Sequence, residues 1–155
     1  MTSIFKDSQD NLWFATFDGV SRLQPGSRVL ESFKSTDGLA GKVVHNVYES
    51  KTGDIRIAAD QGITTILPSG RRPHPVKDSR NSPGALVNEE SISLGFTEPK
   101  AILPGVSVTC IHEDGGSGGE SGGIFWVATQ GEGLKRFQEG KFFSFTTENG
   151  MGSNF

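Results

Sequence analysis

Two stretches of this chain repeat each other, and the repeat decides the fold. Residues 7–23 read DSQDNLWFATFDGVSRL, and residues 122–137 read GGIFWVATQGEGLKRF. Both contain a Trp, a hydrophobic residue, Ala and Thr, followed by a short polar turn, a Gly and a basic residue. Such self-similarity indicates a repeat architecture, in which each copy forms one structural unit.

A third copy lies between the two, at residues 47–66, and reads VYESKTGDIRIAADQGITTI. Its apolar residues and glycines match those of the first copy at a constant period of about 43 residues. The matched pairs are Ile4 and Val47, Leu12 and Ile55, Gly19 and Gly62, and Leu23 and Ile66.

Each copy alternates apolar and polar residues in short runs separated by Asp/Gly turns, which is the pattern of strand, turn and strand. We name the strands a to d: IFKD, LWFAT, VSRL and VLESFKS in the first copy. A period of about 43 residues with four short strands is typical of a β-propeller blade. The sequence therefore predicts an all-β fold, a single propeller domain over 1–155 made of about three four-stranded blades. Blade one is 1–41, blade two is 42–105 and blade three is 106–155.

Trp13 and Trp126 occupy the same position of strand b, and we expect both indoles to fill the space between adjacent blades. Blade two has Arg56 at this position, which predicts a weaker or more exposed contact there.

The motifs resemble the two-component regulator propeller repeat. The first copy carries Ile4, Asp7, Leu12, Trp13, Ala15, Thr16, Gly19, Arg22 and Leu23, and the third carries Val108, Ile111, Asp114, Trp126, Ala128, Thr129, Gly133, Leu134 and Arg136. The second copy departs from the pattern at Ser50, Arg56 and Ala59. The resemblance implies the extracytoplasmic sensor part of a histidine-kinase or related receptor, in some cases one that senses glycans. It therefore implies a periplasmic or extracellular location.

Three blades are fewer than the roughly four to eight of closed propellers. The chain is then either a piece of a longer propeller or one that associates with its copies. We expect a head-to-tail homodimer that closes a six-bladed ring. The insert at 68–100 begins rich in Pro, Gly, Ser and basic residues, and is either a disordered excursion or a docking arm. Its basic residues are Arg71, Arg72, Lys77 and Arg80.

Composition excludes several classes. A net charge of −3 over 155 residues gives no charge-driven attraction to nucleic acid. A single cysteine, Cys110, excludes an internal disulfide and a CxxC motif. The N-terminus lacks the pattern of a signal peptide, and no stretch predicts a membrane span. We therefore expect no membrane contact by this chain.

Propeller geometry predicts where a ligand would bind. With strand a innermost, the b–c turns and the lead-ins from strand d to the next strand a share one rim of the central channel. The alternative is that the polar residues there are ordinary solvated turn residues. The predicted ligand-binding residues are Phe17, Asp18, Lys42, Asp60, Gln61, Gln130, Glu132 and Asn154.

No motif indicates a metal, a cofactor or a catalytic residue. His45, His74 and His112 lack metal-site spacing. Residues 7–11 have oxygen-rich side chains, as calcium loops do, but a turn in which Asp7 binds backbone amides accounts for them.

We expect a non-enzymatic module that senses a small-molecule or glycan ligand. One alternative is a propeller glycoside hydrolase or lyase, for which Asp18, Asp60 and Glu132 would be the carboxylates. Another is a protein-interaction scaffold.

Overall fold

The computed structural model describes residues 1–66, 102–114, 124–138 and 141–155. Within these residues the chain forms three antiparallel sheets and two short 3-10 helices, Ser35–Asp37 and Thr147–Asn149. The strands of the first sheet are β1 (Ser3–Lys6), β2 (Leu12–Thr16), β3 (Gly19–Leu23) and β4 (Leu30–Phe33). Those of the second are β5 (Val44–Glu49), β6 (Ile55–Ala59) and β7 (Gly62–Ile66). Those of the third are β8 (Val108–Glu113), β9 (Phe125–Thr129), β10 (Leu134–Gln138) and β11 (Lys141–Phe145).

Each sheet is an up-and-down meander, because its strands are hydrogen-bonded in chain order. The first and third sheets contain the four predicted strands a to d. The second contains three, followed by an isolated antiparallel bridge between Ile63 and Ile102. The corresponding pairs in the other sheets join strands c and d, Val20 with Phe33 and Leu134 with Phe145. Ile102 therefore stands where strand d of blade two would end, and the predicted insert at 68–100 lies outside the described residues.

The three sheets pack face to face, and this stacking forms the hydrophobic core. One cluster joins the first two sheets and includes Trp13, Phe33, Val47 and Ile57. A second cluster joins the next two and includes Ala58, Ile63, Ile111, Phe125 and Val127. The alternating side chains of β6 divide between the clusters, so blade two is covered on both faces. The predicted all-β fold of stacked blades is confirmed.

Trp13 lies between the first two blades, as predicted, and is only 1% exposed. Its Nε1 donates a hydrogen bond to Oδ2 of Asp7 at 2.8 Å. The same carboxylate accepts from the backbone amides of Gln9 and Asn11 and from Nδ2 of Asn11. Asp7 is thus a buried turn residue whose oxygens are already satisfied, which confirms the turn interpretation of residues 7–11.

The prediction for Trp126 stays untested, because no blade follows blade three within the described residues. Trp126 and Trp13 are equivalent in sequence, but Trp126 lies on the face of blade three that points away from blade two, where it packs beside Phe145. Arg56, at the same position of blade two, lies between blades and stacks over the ring of Phe125 at 4.5 Å. The interface between blades two and three therefore uses an arginine on a phenylalanine.

In blades two and three, a carboxylate at the end of strand a contacts the a–b turn of the preceding blade. Glu49 accepts hydrogen bonds from the backbone amide of Ser8 at 2.7 Å and from its hydroxyl at 2.6 Å. At the equivalent position of blade three, Glu113 accepts from the amide of Lys51 at 3.0 Å and from the hydroxyl of Tyr48 at 3.2 Å. We call these contacts the inter-blade carboxylate clamps.

Gly19 is required by the turn between β2 and β3. Its φ is +99°, and a Cβ there would lie 2.1 Å from the carbonyl oxygen of Phe33. Gly26, in the next turn, has a φ of +74°, and a Cβ there would meet no atom within 4 Å. We expect Gly19→Ala to lower the free energy of unfolding by about 1–3 kcal/mol more than Gly26→Ala, because only Gly19 adds a steric clash to backbone strain. Equal losses in chemical denaturation of the two variants would contradict this.

Tyr48 supplies a spectroscopic test of the second clamp, since it is the single tyrosine of the chain. Burial, and then the charge and hydrogen bond of Glu113, raise the pKa of Tyr48 above its usual value of about 10. The folded state therefore keeps this proton when the unfolded chain has lost it. Tyr48 thus contributes stability that is present below about pH 10 and is lost as the pH rises through the raised pKa.

In Glu113→Gln we expect the pKa of Tyr48 to fall while staying above its usual value, because burial remains. Phenolate absorbance during an alkaline titration measures it. Glu49→Gln is the matched control, because Glu49 occupies the same position one blade earlier and binds Ser8. A pKa that shifts equally in both variants, or in neither, would refute the assignment.

Candidate functional site

The backbone brings each lead-in onto the b–c turn of the preceding blade, so these segments share one rim as predicted. The amide of Gly19 donates to the carbonyl of Lys42 at 2.8 Å, and that of Gly105 donates to the carbonyl of Gln61 at 3.1 Å. The carbonyl of Asn154 accepts from the amides of Gly131 and Gly133, both at 3.1 Å. A backbone contact between lead-in and turn thus recurs at all three blades and positions the predicted site residues at this rim.

The blade-one part of the rim is a charged group around Asp18. Its Oδ2 lies 2.7 Å from Nζ of Lys34, and its Oδ1 lies 3.8 Å from Nζ of Lys42. The hydrogen bond and charge of Lys34 lower the pKa of Asp18, and Asp18 raises the pKa of Lys34 in return. All three side chains are more than half exposed, so they remain accessible to a ligand and are screened by salt.

Asp60 faces the same lead-in from blade two. Its Oδ1 accepts a hydrogen bond from the amide of Val43 at 3.1 Å, and its own amide donates to the carbonyl of Val43 at 3.0 Å. Gly41 allows this approach, because a Cβ there would lie 2.1 Å from Oδ1 of Asp60. Asp60 is therefore half-buried and positions the lead-in that carries Lys42.

The blade-three part of the rim has a different chemistry. The amide of Gln130 donates to the carbonyl of Ser107 at 2.9 Å, and Glu132 forms an ion pair with Lys135 at 2.9 Å. Oδ1 of Asn154 accepts from the amide of Thr147 at 2.9 Å. These contacts divide the predicted residues into two groups. The first surrounds the lead-in at Lys42 and includes Asp18 and Asp60. The second lies on blade three and includes Gln130, Glu132 and Asn154, while Gln61 contacts Gly105 in the lead-in to blade three.

Phe17 is the aromatic member of the site. It is 64% exposed at the tip of the turn between β2 and β3, next to Asp18. Two hydrogen bonds of the Thr16 side chain stabilise the turn that carries Phe17. The Thr16 hydroxyl donates to the carbonyl of Gly19 at 2.8 Å and accepts from the amide of Asp18 at 3.1 Å. An exposed ring thus lies in a hydrogen-bonded turn next to Asp18, the residue that pairs with two ammonium groups.

Sequence reasoning missed Lys34, the closest charged partner of Asp18. Lys34 directly follows strand d and is the N-cap of the 3-10 helix, where its amide donates to Oδ2 of Asp37 at 2.8 Å. That capping pattern, Lys34 to Asp37 just before the Gly38 turn, is visible in the sequence and marks Lys34 as the first residue of the lead-in.

The structure offers little for a metal. Within the described ranges, no group of three or more His, Cys, Asp or Glu side chains is arranged to hold an ion. His45 lies half-buried on β5 and His112 lies exposed on β8, while His74 falls outside the described residues. No helix in this part of the chain has the length and apolar character needed to cross a bilayer.

The model of the two-component regulator propeller family matches residues 1–18, which include β1, β2 and the turn that carries Phe17 and Asp18. No curated protein matches the chain in sequence.

Two solved structures from B. thetaiotaomicron share the fold. One is the extracellular domain of a protein assigned to a hybrid two-component system; it is 20% identical with a TM-score of 0.58, over 96% of this chain and 17% of that chain. The other is the extracellular domain of a protein assigned to a one-component system; it is 21% identical with a TM-score of 0.57, over 93% of this chain and 17% of that chain. This chain therefore spans 17% of the length of each of these structures.

The recurring blade contacts, the matched motif and the shared fold agree with one another. Residues 1–18 match the two-component regulator propeller model, and the three stacked sheets of this chain are blades of a β-propeller.

Proposed function

We propose that this chain is a non-enzymatic sensing module that binds a small polar ligand, of saccharide type, at the rim formed by the b–c turns and lead-ins. The observation that carries the proposal is the exposed ring of Phe17 in the turn that also carries Asp18, whose carboxylate faces Lys34 and Lys42. An aromatic face accepts the apolar face of a sugar ring, while carboxylate and ammonium groups bind its hydroxyls.

The comparisons support a sensory role. The first repeat matches a family of two-component regulators, and the two similar structures are extracellular domains of signalling proteins. By analogy with them, we propose an extracellular or periplasmic location for this module. Its signal would then pass to a part of the receptor beyond these blades.

The charges of the rim favour binding over hydrolysis. A glycosidase needs one carboxyl group with a raised pKa that can donate a proton. The pKa of Asp18 is instead lowered by Lys34, and Asp60 accepts a backbone amide in the turn. Asp18 therefore presents a stable negative charge, and Asp60 stabilises the backbone of the rim.

A glycan array followed by isothermal titration calorimetry of the best binder tests the proposal. We expect Phe17→Ala and Asp18→Asn each to weaken binding about tenfold, which corresponds to about 1.4 kcal/mol. Neither change should alter the melting temperature appreciably, because both side chains are exposed.

Val29→Ala is the matched control. Val29 is also strongly exposed, at 71%, but it lies in the turn between β3 and β4, at the opposite rim. Binding that is unchanged in Phe17→Ala and Asp18→Asn, or that falls equally in Val29→Ala, would overturn the rim as the binding site. A chain that binds no glycan but turns one over would favour the hydrolase alternative.

A further inference from the structure

Each end of the three-blade stack presents an open sheet face with exposed apolar side chains. On blade one, the face away from blade two carries Ile4, which is 56% exposed, and Leu30, which is 53% exposed. On blade three, the face away from blade two carries Phe143, which is 50% exposed, beside the half-buried Trp126. Exposed large apolar side chains that share one sheet face are typical of an interaction site.

The open face of blade three has the same arrangement of side chains as the face of blade one that blade two covers. In blade one, Arg22 is paired with Trp13 and lies 5.5 Å above its ring. In blade three, Arg136 is paired with Trp126, also 5.5 Å above the ring. By strand register, Phe145 is equivalent to Phe33, which packs on Trp13. Phe143 is equivalent to Glu31, which binds Arg22. Blade three is therefore built to receive the face that packs against Trp13, with one additional aromatic residue.

The open face of blade one has the same residue pattern as the face of blade two that packs against Trp13. Blade two covers Trp13 with apolar side chains of β5, β6 and β7 that belong to one buried cluster. The constant sequence period places an apolar residue of blade one at four of these positions, whereas Ala59 corresponds to Thr16. The pairs are Ile4 for Val47, Leu12 for Ile55, Phe14 for Ile57 and Leu23 for Ile66. The two ends of the chain thus carry the two halves of an interface that already exists inside it.

We propose that these two faces bind each other between two copies of the chain, with blade three of each copy against blade one of the other. Two such contacts form at once around a two-fold axis and close a ring of six blades, which leaves no sheet face open.

The interface between copies lacks one contact of the internal interfaces. Lys6 stands at the position that Glu49 and Glu113 occupy in the next blades, and it forms an ion pair with Asp10 at 2.6 Å. Blade one therefore has no carboxylate clamp to offer to the turn of a preceding blade. The association is accordingly weaker than the internal stacking and depends on concentration.

Analytical ultracentrifugation of the 155-residue chain over a range of concentrations tests the proposal. We expect the mass to rise from 16.6 kDa to twice that value, without higher species, because the ring is closed. Ile4→Glu and Phe143→Glu should each give a monomer over the same range. Val29→Glu, at an even more exposed position in the turn between β3 and β4, should still dimerise. Far-UV circular dichroism and thermal unfolding establish that each variant is folded.

Mixing the two monomeric variants tests the head-to-tail geometry. A mixed pair places both substitutions in one interface and leaves the other interface as in the original chain. We therefore expect a partial return of the dimer on mixing, weaker than for the unchanged chain. A monomer up to about 1 mM chain, a dimer insensitive to both substitutions, or no heterodimer on mixing would each overturn the proposal. This test is independent of ligand binding at the rim.

Discussion

The stacking of one apolar sheet face on the next is the interaction on which this structure depends. A four-stranded sheet has two faces, and one blade alone leaves both in water. Burial of the Trp13 indole removes on the order of 150–250 Å² from solvent, which stabilises the stack by about 4–6 kcal/mol as an upper value. The alternating pattern of β6 divides its apolar residues between both neighbouring sheets, so blade two is stabilised from both sides.

The polar contacts of the chain follow from this stacking. Packing the sheets face to face brings the end of each strand a against the preceding turn, and Glu49 and Glu113 use that proximity to satisfy exposed backbone amides. At the opposite rim, backbone hydrogen bonds join the lead-in of each blade to a b–c turn. The rim is therefore rigid in its backbone, while the side chains of Phe17, Asp18 and Lys42 remain exposed. Such a division, with a fixed frame and exposed side chains, is what a recognition surface requires.

The fold could be predicted from sequence because its signals are local and repeated. The strand pattern and the glycines of the turns predicted the four strands of blade one within a few residues, and the constant period extended them to the next blades. The fourth strand of blade two could not be located, because the repeat pattern is lost after Ile66. Only the Ile63–Ile102 bridge indicates its place. The rim residues could be placed from sequence, since the geometry of a blade fixes which turns lie together, but Lys34 was missed because its contact with Asp18 crosses from strand d to the b–c turn.

The three equivalent residues Trp13, Arg56 and Trp126 show why a repeat does not give its members the same environment. Trp13 is covered because an apolar face of blade two follows it. Arg56 is also covered, but by the face of blade three that carries Phe125. Its guanidinium lies over the Phe125 ring, whereas the indole of Trp13 packs against aliphatic side chains of blade two. One nitrogen of Arg56, Nη1, is buried with no hydrogen-bond partner among the described residues, so this interface gives up a polar contact that Trp13 obtains from Asp7. Trp126 has the sequence of a covered position and Arg136 above it, yet nothing within the described chain follows blade three. What a blade residue does is therefore decided by the next sheet in the stack, and the pattern within its own repeat specifies only the face on which it lies.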